Sequence, residues 1–300
     1  RVPLRDAFIV ERLKAEGAII MGKTVTTELA FMHPNKTTNP HNPAHSPGGS
    51  SQGSAAAVAD GMVPLAIGTQ TGGSVIRPAS FCGVTGFKPT FGAIPRRGVL
   101  TQSPSLDTIG VFASDPAGAA LLAEVLFGHD PEDSATELAP TPALLAEATS
   151  APPIPPVFGF VRPPGWEDAD PQLHAAFEEL VAALGDQAME AGNKVLARDY
   201  QSARDLPKVL TAALEELLTR CDVLLCPAAT GPAPRGLETT GDPIFNGLWT
   251  LCGSPCVSLP LMTSEEGLPM GVQLVGGHGQ DGRLMRSAQW LFDWADGATE

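Results

Sequence analysis

The chain has 300 residues, 43% hydrophobic and 17% charged, with a net charge of −14 and a sequence pI of about 4.8. This describes a soluble globular protein whose core can be large enough to need no disulfide or metal staple, and the shortage of Lys and Arg excludes a direct grip on nucleic acid or on an anionic membrane. No stretch reads as a signal peptide or as a bilayer-spanning run, so a cytoplasmic protein is expected.

In chain order, apolar residues at Ala7, Ile9, Val10, Leu13 and Ala15 predict an amphipathic helix ending at Gly17. Because the chain starts with Arg1 inside this pattern, the reading is of an N-terminally truncated fragment. Ala18–Met21 is a short apolar run and predicts a buried strand. Residues 33–49, rich in Pro, Asn, His and Gly, predict a loop. Ser54–Gly61 is small and helical, Val63–Gly68 a second strand, and Val84–Phe87 a third. Ser114-Asp115-Pro116 starts a helix that runs to Phe127, with a cap residue placed before proline. Residues 128–156 are acidic, then Pro/Ala-rich, and read as a linker-like surface segment with some helix.

Val157–Val161 predicts a strand, and Asp170-Pro171 begins a helix to about Ala191. Lys194–Ala197 predicts a strand, and Ala203–Arg220 a helix with a break near Pro207. Val223–Cys226, Val257–Leu261 and Gly271–Val275 are strand-like, and Asp281–Trp294 closes the chain with an amphipathic helix. Strands and helices alternate with no long all-β section. The fold class is therefore α/β, a single domain over 1–300 with a central mixed β-sheet flanked by helices on both faces.

Chemistry concentrates in two glycine-serine elements, Pro47-Gly48-Gly49-Ser50-Ser51-Gln52-Gly53-Ser54 and Gly68-Thr69-Gln70-Thr71-Gly72-Gly73-Ser74, whose Gly-Gly-Ser serines stand 24 residues apart. Ser74 falls at a sharp turn after an apolar strand, where the amides of Thr71, Gly72, Gly73 and Ser74 can converge on one point. A nucleophilic hydroxyl beside a row of backbone N–H groups is what acyl transfer requires. One such element alone reads equally as a glycine-rich turn with a capping serine; the pair is the signal.

Other motifs carry less. Gly17-Ala18-Ile19-Ile20-Met21-Gly22-Lys23-Thr24 fits the phosphate-loop pattern letter for letter. Its middle residues read as the strand itself and a helix precedes it, the reverse of the strand–loop–helix order that cradles phosphate. Cys82, Cys221, Cys226, Cys252 and Cys256 form no ligand or disulfide spacing and read as buried free thiols. His33, His41 and His45 crowd the loop before Ser50 and read as a polar pocket entrance, so no metal and no cofactor is expected. Ser103 and Asp107 fit a wall of the site and a capped turn equally well.

These residues together resemble the amidase signature family. Pro47–Ala57 resembles its Gly-Gly-Ser-Ser-Gly-Gly-Ser box, and Gly68–Pro89 its nucleophile box. Gly22-Lys23-Thr24 with Glu28 resembles an upstream segment. Gly253-Ser254-Pro255 with Leu268–Leu274 resembles a C-terminal element. The resemblance implies the amidase signature fold and a Ser–cis-Ser–Lys mechanism. In it Ser74 is the nucleophile, Ser50 the bridging serine in a cis peptide, and Thr71, Gly72 and Gly73 with Ser74 the substrate-binding oxyanion hole.

The family lysine is implied upstream of Arg1, and neither Lys23 nor Lys88 takes its role. Departures are Gln70 where many members have Asp, Arg77 three residues after Ser74 where many place it two after, Ser51-Gln52-Gly53 in place of Ser-Gly-Gly, and a short stretch between Val195 and Cys221. The implied function is hydrolysis of a small-molecule carboxamide to acid and ammonia through an acyl-serine. The alternatives are the glutaminase-type A subunit of a tRNA-dependent amidotransferase, which the Ser74-Val75-Ile76-Arg77-Pro78 wording disfavours, and an inactive remnant. No nucleic acid or membrane partner is expected, and a homodimer is left open.

Overall fold

Alternation along the strands decides the architecture, because successive strand side chains point to opposite faces. A computed structural model describes residues 4–190 and 206–298. Its eight strands are β1 Leu65–Gln70, β2 Thr85–Lys88, β3 Thr108–Ala113, β4 Phe158–Phe160, β5 Ala188–Glu190, β6 Val223–Pro227, β7 Cys256–Thr263 and β8 Pro269–Val275. They form one sheet in the order β1-β3-β2-β7-β8-β6-β4-β5. Pairing is parallel at β4–β5 and β4–β6 and antiparallel elsewhere, which makes the sheet mixed.

On β6, Val223 and Leu225 enter one apolar cluster while Leu224 and Cys226 enter another. On β3, Ile109, Val111 and Ala113 point into the first cluster and Phe112 into a third. Each face therefore needs a helical layer, as expected. The first face is covered by α4 Pro116–Leu126, α5 Leu144–Ala148, α6 Pro171–Leu184 and α9 Asp281–Ala298, with α1 Phe8–Ala15 at its margin. The second is covered by α2 Gln52–Ala59, α3 Ile76–Cys82, α7 Leu206–Leu217 and α8 Ile244–Leu251.

Local chemistry sets several boundaries. Asp115 accepts the Gly118 N–H at 2.7 Å and Pro116 opens α4; Asp170 accepts the Gln172 N–H at 2.9 Å and Pro171 opens α6. Gly83, at φ 66°, closes α3 in the left-handed conformation that favours glycine. Segment 128–156 contributes buried Asp130, Asp133, Thr136, Leu144 and Ala148. All five cysteines are free and buried. No helix among the described residues is long and apolar enough to cross a membrane.

Several expectations are corrected. Ala18–Met21 forms no strand, and Ile19 and Met21 are 85% and 74% exposed, because no strand among the described residues pairs with this run. The helix from Asp170 ends at Leu184, not near Ala191; Gly185 follows at φ 53°, and Ala188–Glu190 pairs with β4. The second strand lies two residues later than predicted, at Leu65–Gln70. Helices α3 and α8 and strand β3 add to the predicted elements. The predicted strand Lys194–Ala197 lies outside the described residues.

Candidate active site

The two glycine-serine elements meet across α2 and β1. Helix α2 is built almost wholly of small residues and buries Gln52 through Val58. A Cβ on Gly53 would lie 2.6 Å from Val25 O, and one on Gly68 would lie 2.5 Å from Ser51 Oγ. Helix and strand thus approach as closely as backbone allows.

Hydroxyls complete the join. Ser51 Oγ donates to Thr69 O at 3.2 Å and accepts the Thr69 N–H at 3.1 Å, and Ser54 Oγ donates to Ile67 O at 2.7 Å. Ser51 and Ser54 are therefore used by the architecture. The hydroxyls of Ser50 and Ser74 make no hydrogen bond within the described residues, either to each other or to another group. The Gly49–Ser50 peptide bond is cis.

Arg77 ties the two elements together, and the sequence gives it no role beyond its offset from Ser74. It is 1% exposed. Its Nη2 donates to Gly49 O at 2.8 Å and to Thr240 Oγ1 at 3.3 Å, and its Nε donates to Thr240 O at 2.6 Å. Its own amide donates to Gly73 O at 2.9 Å. One side chain thus fixes the peptide before Ser50 while its backbone closes the turn that carries Ser74. Burial pushes the guanidinium down to about 10, partly offset by Asp242. It remains a cation at neutral pH.

The nucleophile turn runs from the end of β1 to α3. The N–H groups of Gly72, Gly73 and Ser74 donate to no acceptor among the described residues, although Gly73 is buried and its neighbours half-buried. Unpaired amides in such a place form a row of donors open to an anion. A Cβ on Gly73 would strike Asn246 Oδ1 and lie 2.7 Å from Arg77 Nη1, so only glycine fits there.

Thr71 stands beside this row. Its hydroxyl donates to Asp107 Oδ1 at 2.6 Å, and Asp107 Oδ2 accepts the Gln102 and Ser103 N–H groups at 2.7 and 2.9 Å. Asp107 therefore caps its turn and also supports Thr71. The two readings open in the sequence are both realised. A shallow cavity beside Thr71 is lined by Ala30, Arg96, Val99, Leu100, Gln102 and Ile109, among others.

Behind this wall, Arg96 Nε and Nη2 meet the Asp133 carboxylate at 3.0 and 2.9 Å, and Arg96 N–H adds a third bond at 2.7 Å. The side-chain bond from Arg96 holds Asp133 down at about 2, below its ordinary 3.8. The folded pKa lies below the unfolded one. The stabilisation is complete above about pH 4 and lost as pH falls through about 2. Chemical denaturation across this range should show wild type losing about 1–2 kcal/mol that Asp133→Asn does not lose. Parallel curves for the two proteins would contradict this.

The lysines named in the sequence stand apart from the row. Lys23 is exposed. Lys88 is fully buried, and its Nζ donates to Ser254 O at 2.5 Å and Pro89 O at 3.1 Å; burial pushes its pKa down. Of the loop histidines, His41 bonds Cys82 O at 2.8 Å through Nε2, His45 is buried and His33 exposed. No group of residues able to hold a metal ion occurs among the described residues.

Comparison with known proteins agrees with this arrangement. The family model Amidase matches residues 1–193 and 186–285. The chain is 32% identical to the A subunit of glutamyl-tRNA(Gln) amidotransferase from Synechococcus sp. (strain WH7803), covering 98% of this chain and 78% of that protein. It is 30% identical to the corresponding protein of Bdellovibrio bacteriovorus over 96% of this chain and 76% of the relative. Among solved structures, the Thermotoga maritima member of the same group superposes with a TM-score of 0.79 at 28% identity, covering 95% of this chain and 75% of that one. A chain from a vestigial protein complex linked to the origins of an s-triazine catabolic enzyme gives a TM-score of 0.85 at 27% identity, covering 97% and 78%.

Proposed function

Because the chain belongs to the amidase family, we propose that it hydrolyses a carboxamide to the carboxylic acid and ammonia through an acyl-Ser74 intermediate. Ser74 Oγ attacks the amide carbonyl and its proton leaves through the Ser50 hydroxyl. The oxyanion of the tetrahedral intermediate lies against the Gly73 and Ser74 N–H groups, with Thr71 and Gly72 lining the same point. The C–N bond then breaks, the proton passes from Ser50 to the departing amine, and water releases the acid by the same route in reverse. The base that starts the relay is, on the family resemblance, a lysine outside residues 1–300. The observation that carries this reading is the combination of two unengaged serine hydroxyls with a row of unpaired amides on one Arg77-braced turn.

A second reading, glutamine hydrolysis as the A subunit of a tRNA-dependent amidotransferase, is favoured by the relatives over a free amidase. It corrects the weight placed on the wording Ser74–Pro78. Ammonia release from acetamide, benzamide and glutamine by the full-length protein, with and without partner subunits, separates the two. Hydroxylamine should divert the acyl group to a hydroxamate in either case. Release from glutamine that requires the partners supports the second reading. Absence of ammonia from every amide under both conditions would leave only the remnant reading standing.

A further inference from the structure

From the hydrogen bonds around the nucleophile turn we infer that Thr250, directed by Gln70, is a positioning residue that aims the oxyanion donors. This rests on the acyl-Ser74 reading above. Gln70 ends β1 and is fully buried. Its Oε1 accepts two backbone N–H groups, Val75 at 2.9 Å and Ile76 at 3.0 Å, so its amide orientation is fixed by the donors it meets. Its Nε2 then donates to Thr250 Oγ1 on α8 at 3.0 Å. The Thr250 hydroxyl, having accepted from Gln70, has one hydrogen to give. Gly72 O lies at 2.8 Å and Asn246 O, one helical turn back, at 3.2 Å. The shorter contact goes to Gly72.

The consequence follows from peptide geometry. In a planar trans peptide the carbonyl and the next N–H point in opposite directions. Drawing the Gly72 carbonyl toward α8 turns the Gly73 N–H away from α8, and this N–H has no acceptor among the described residues. Gln70 holds the other end of the same turn through Val75 and Ile76. One side-chain amide and one hydroxyl thus fasten both ends of Gly72–Val75 and leave its inner amides free. Neither residue touches the reacting atoms. The arrangement also uses glutamine specifically, because a carboxylate at position 70 has no hydrogen to give Thr250 and would take the one now given to Gly72.

The test uses the full-length protein with whichever amide it turns over. Thr250→Val keeps the shape and removes the hydroxyl. It is expected to lower kcat by about tenfold to a hundredfold, short of the roughly 10²–10³ lost when an oxyanion donor itself is removed, with KM changed by less than about threefold. Thr250→Ser should restore most of the rate. Amide hydrogen exchange gives a readout that needs no turnover: exchange at Val75 and Ile76 should quicken by about tenfold in Thr250→Val and not in Thr250→Ser. A Thr250→Val protein with wild-type kcat, or with unchanged exchange at both amides, overturns the inference. So does equal loss in the valine and serine variants, which would mark a packing role only. Ser74→Ala assayed in parallel keeps the two claims apart: retained turnover there sinks the acyl-Ser74 reading, while exchange still judges the clamp.

Discussion

Alanine at position 74 is expected to reduce amide turnover by about 10⁴-fold or more while leaving the melting temperature unchanged. The stability half of this expectation follows from the Ser74 hydroxyl, which bonds nothing within the described residues. Ser50→Ala should cost nearly as much, since the proton relay fails at either serine. The double variant should be no slower than the worse of the two single ones, because groups that act as a unit are not additive. Ser54→Ala supplies the contrast. It removes the 2.7 Å bond to Ile67 O and should lower stability by about 1 kcal/mol without touching kcat. Full activity in Ser74→Ala, measured as ammonia release under single-turnover conditions, would remove the nucleophile assignment.

Arg77→Met should be the most damaging change outside the two serines. Two opposing effects decide its size. Methionine relieves the desolvation of a buried cation, which is why the guanidinium is pushed down to about 10. It also strands Gly49 O and Thr240 O, whose donors are gone. A buried acceptor left unpaired costs about 1–3 kcal/mol, so the net loss of stability is expected at about 2 kcal/mol. The loss of kcat should be proportionately larger, about a hundredfold or more, because the Gly49–Ser50 peptide loses its anchor to the turn that carries Ser74. Lysine should not rescue, since a single ammonium cannot reproduce the planar fork that reaches Gly49 and Thr240 together. Denaturation midpoints and initial rates of Arg77→Met and Arg77→Lys check both parts. Wild-type kcat in either variant would show that the brace is dispensable.

Where pattern is local, the sequence is readable. Strands β6, β7 and β8 are unbroken apolar runs, and α4 and α6 are announced by Asp-Pro starts whose caps form as expected. What fails depends on distant neighbours. Ala18–Met21 has the apolar character of a buried strand, yet burial needs a partner strand and none among the described residues pairs with it. Strand β3 is hidden by Gly110, a poor strand former placed there because a Cβ would lie 2.7 Å from Phe87 O. Helix α3 contains Pro78 near its start, where proline is tolerated, but in the sequence the same residue reads as a stop.

The candidate site divides the same way. Ser50, Thr71, Gly72, Gly73 and Ser74 stand in two dense motifs. Asn246 and Thr250 lie on α8, far along the chain in an apolar stretch with no motif to mark them. The nearest signal is Gln70, a polar residue closing an apolar strand, whose buried amide calls for a partner.

The surface left open at Ile19–Met21 has a practical bearing on work with this protein. Together with exposed Leu29, Phe31 and Met32 it presents sticky, oil-like ground to the solvent. Samples at high concentration will tend to clump through it, more so in salting-out buffers. Particle sizes recorded under those conditions then measure adhesiveness, and only a size that persists on dilution speaks to how many copies assemble.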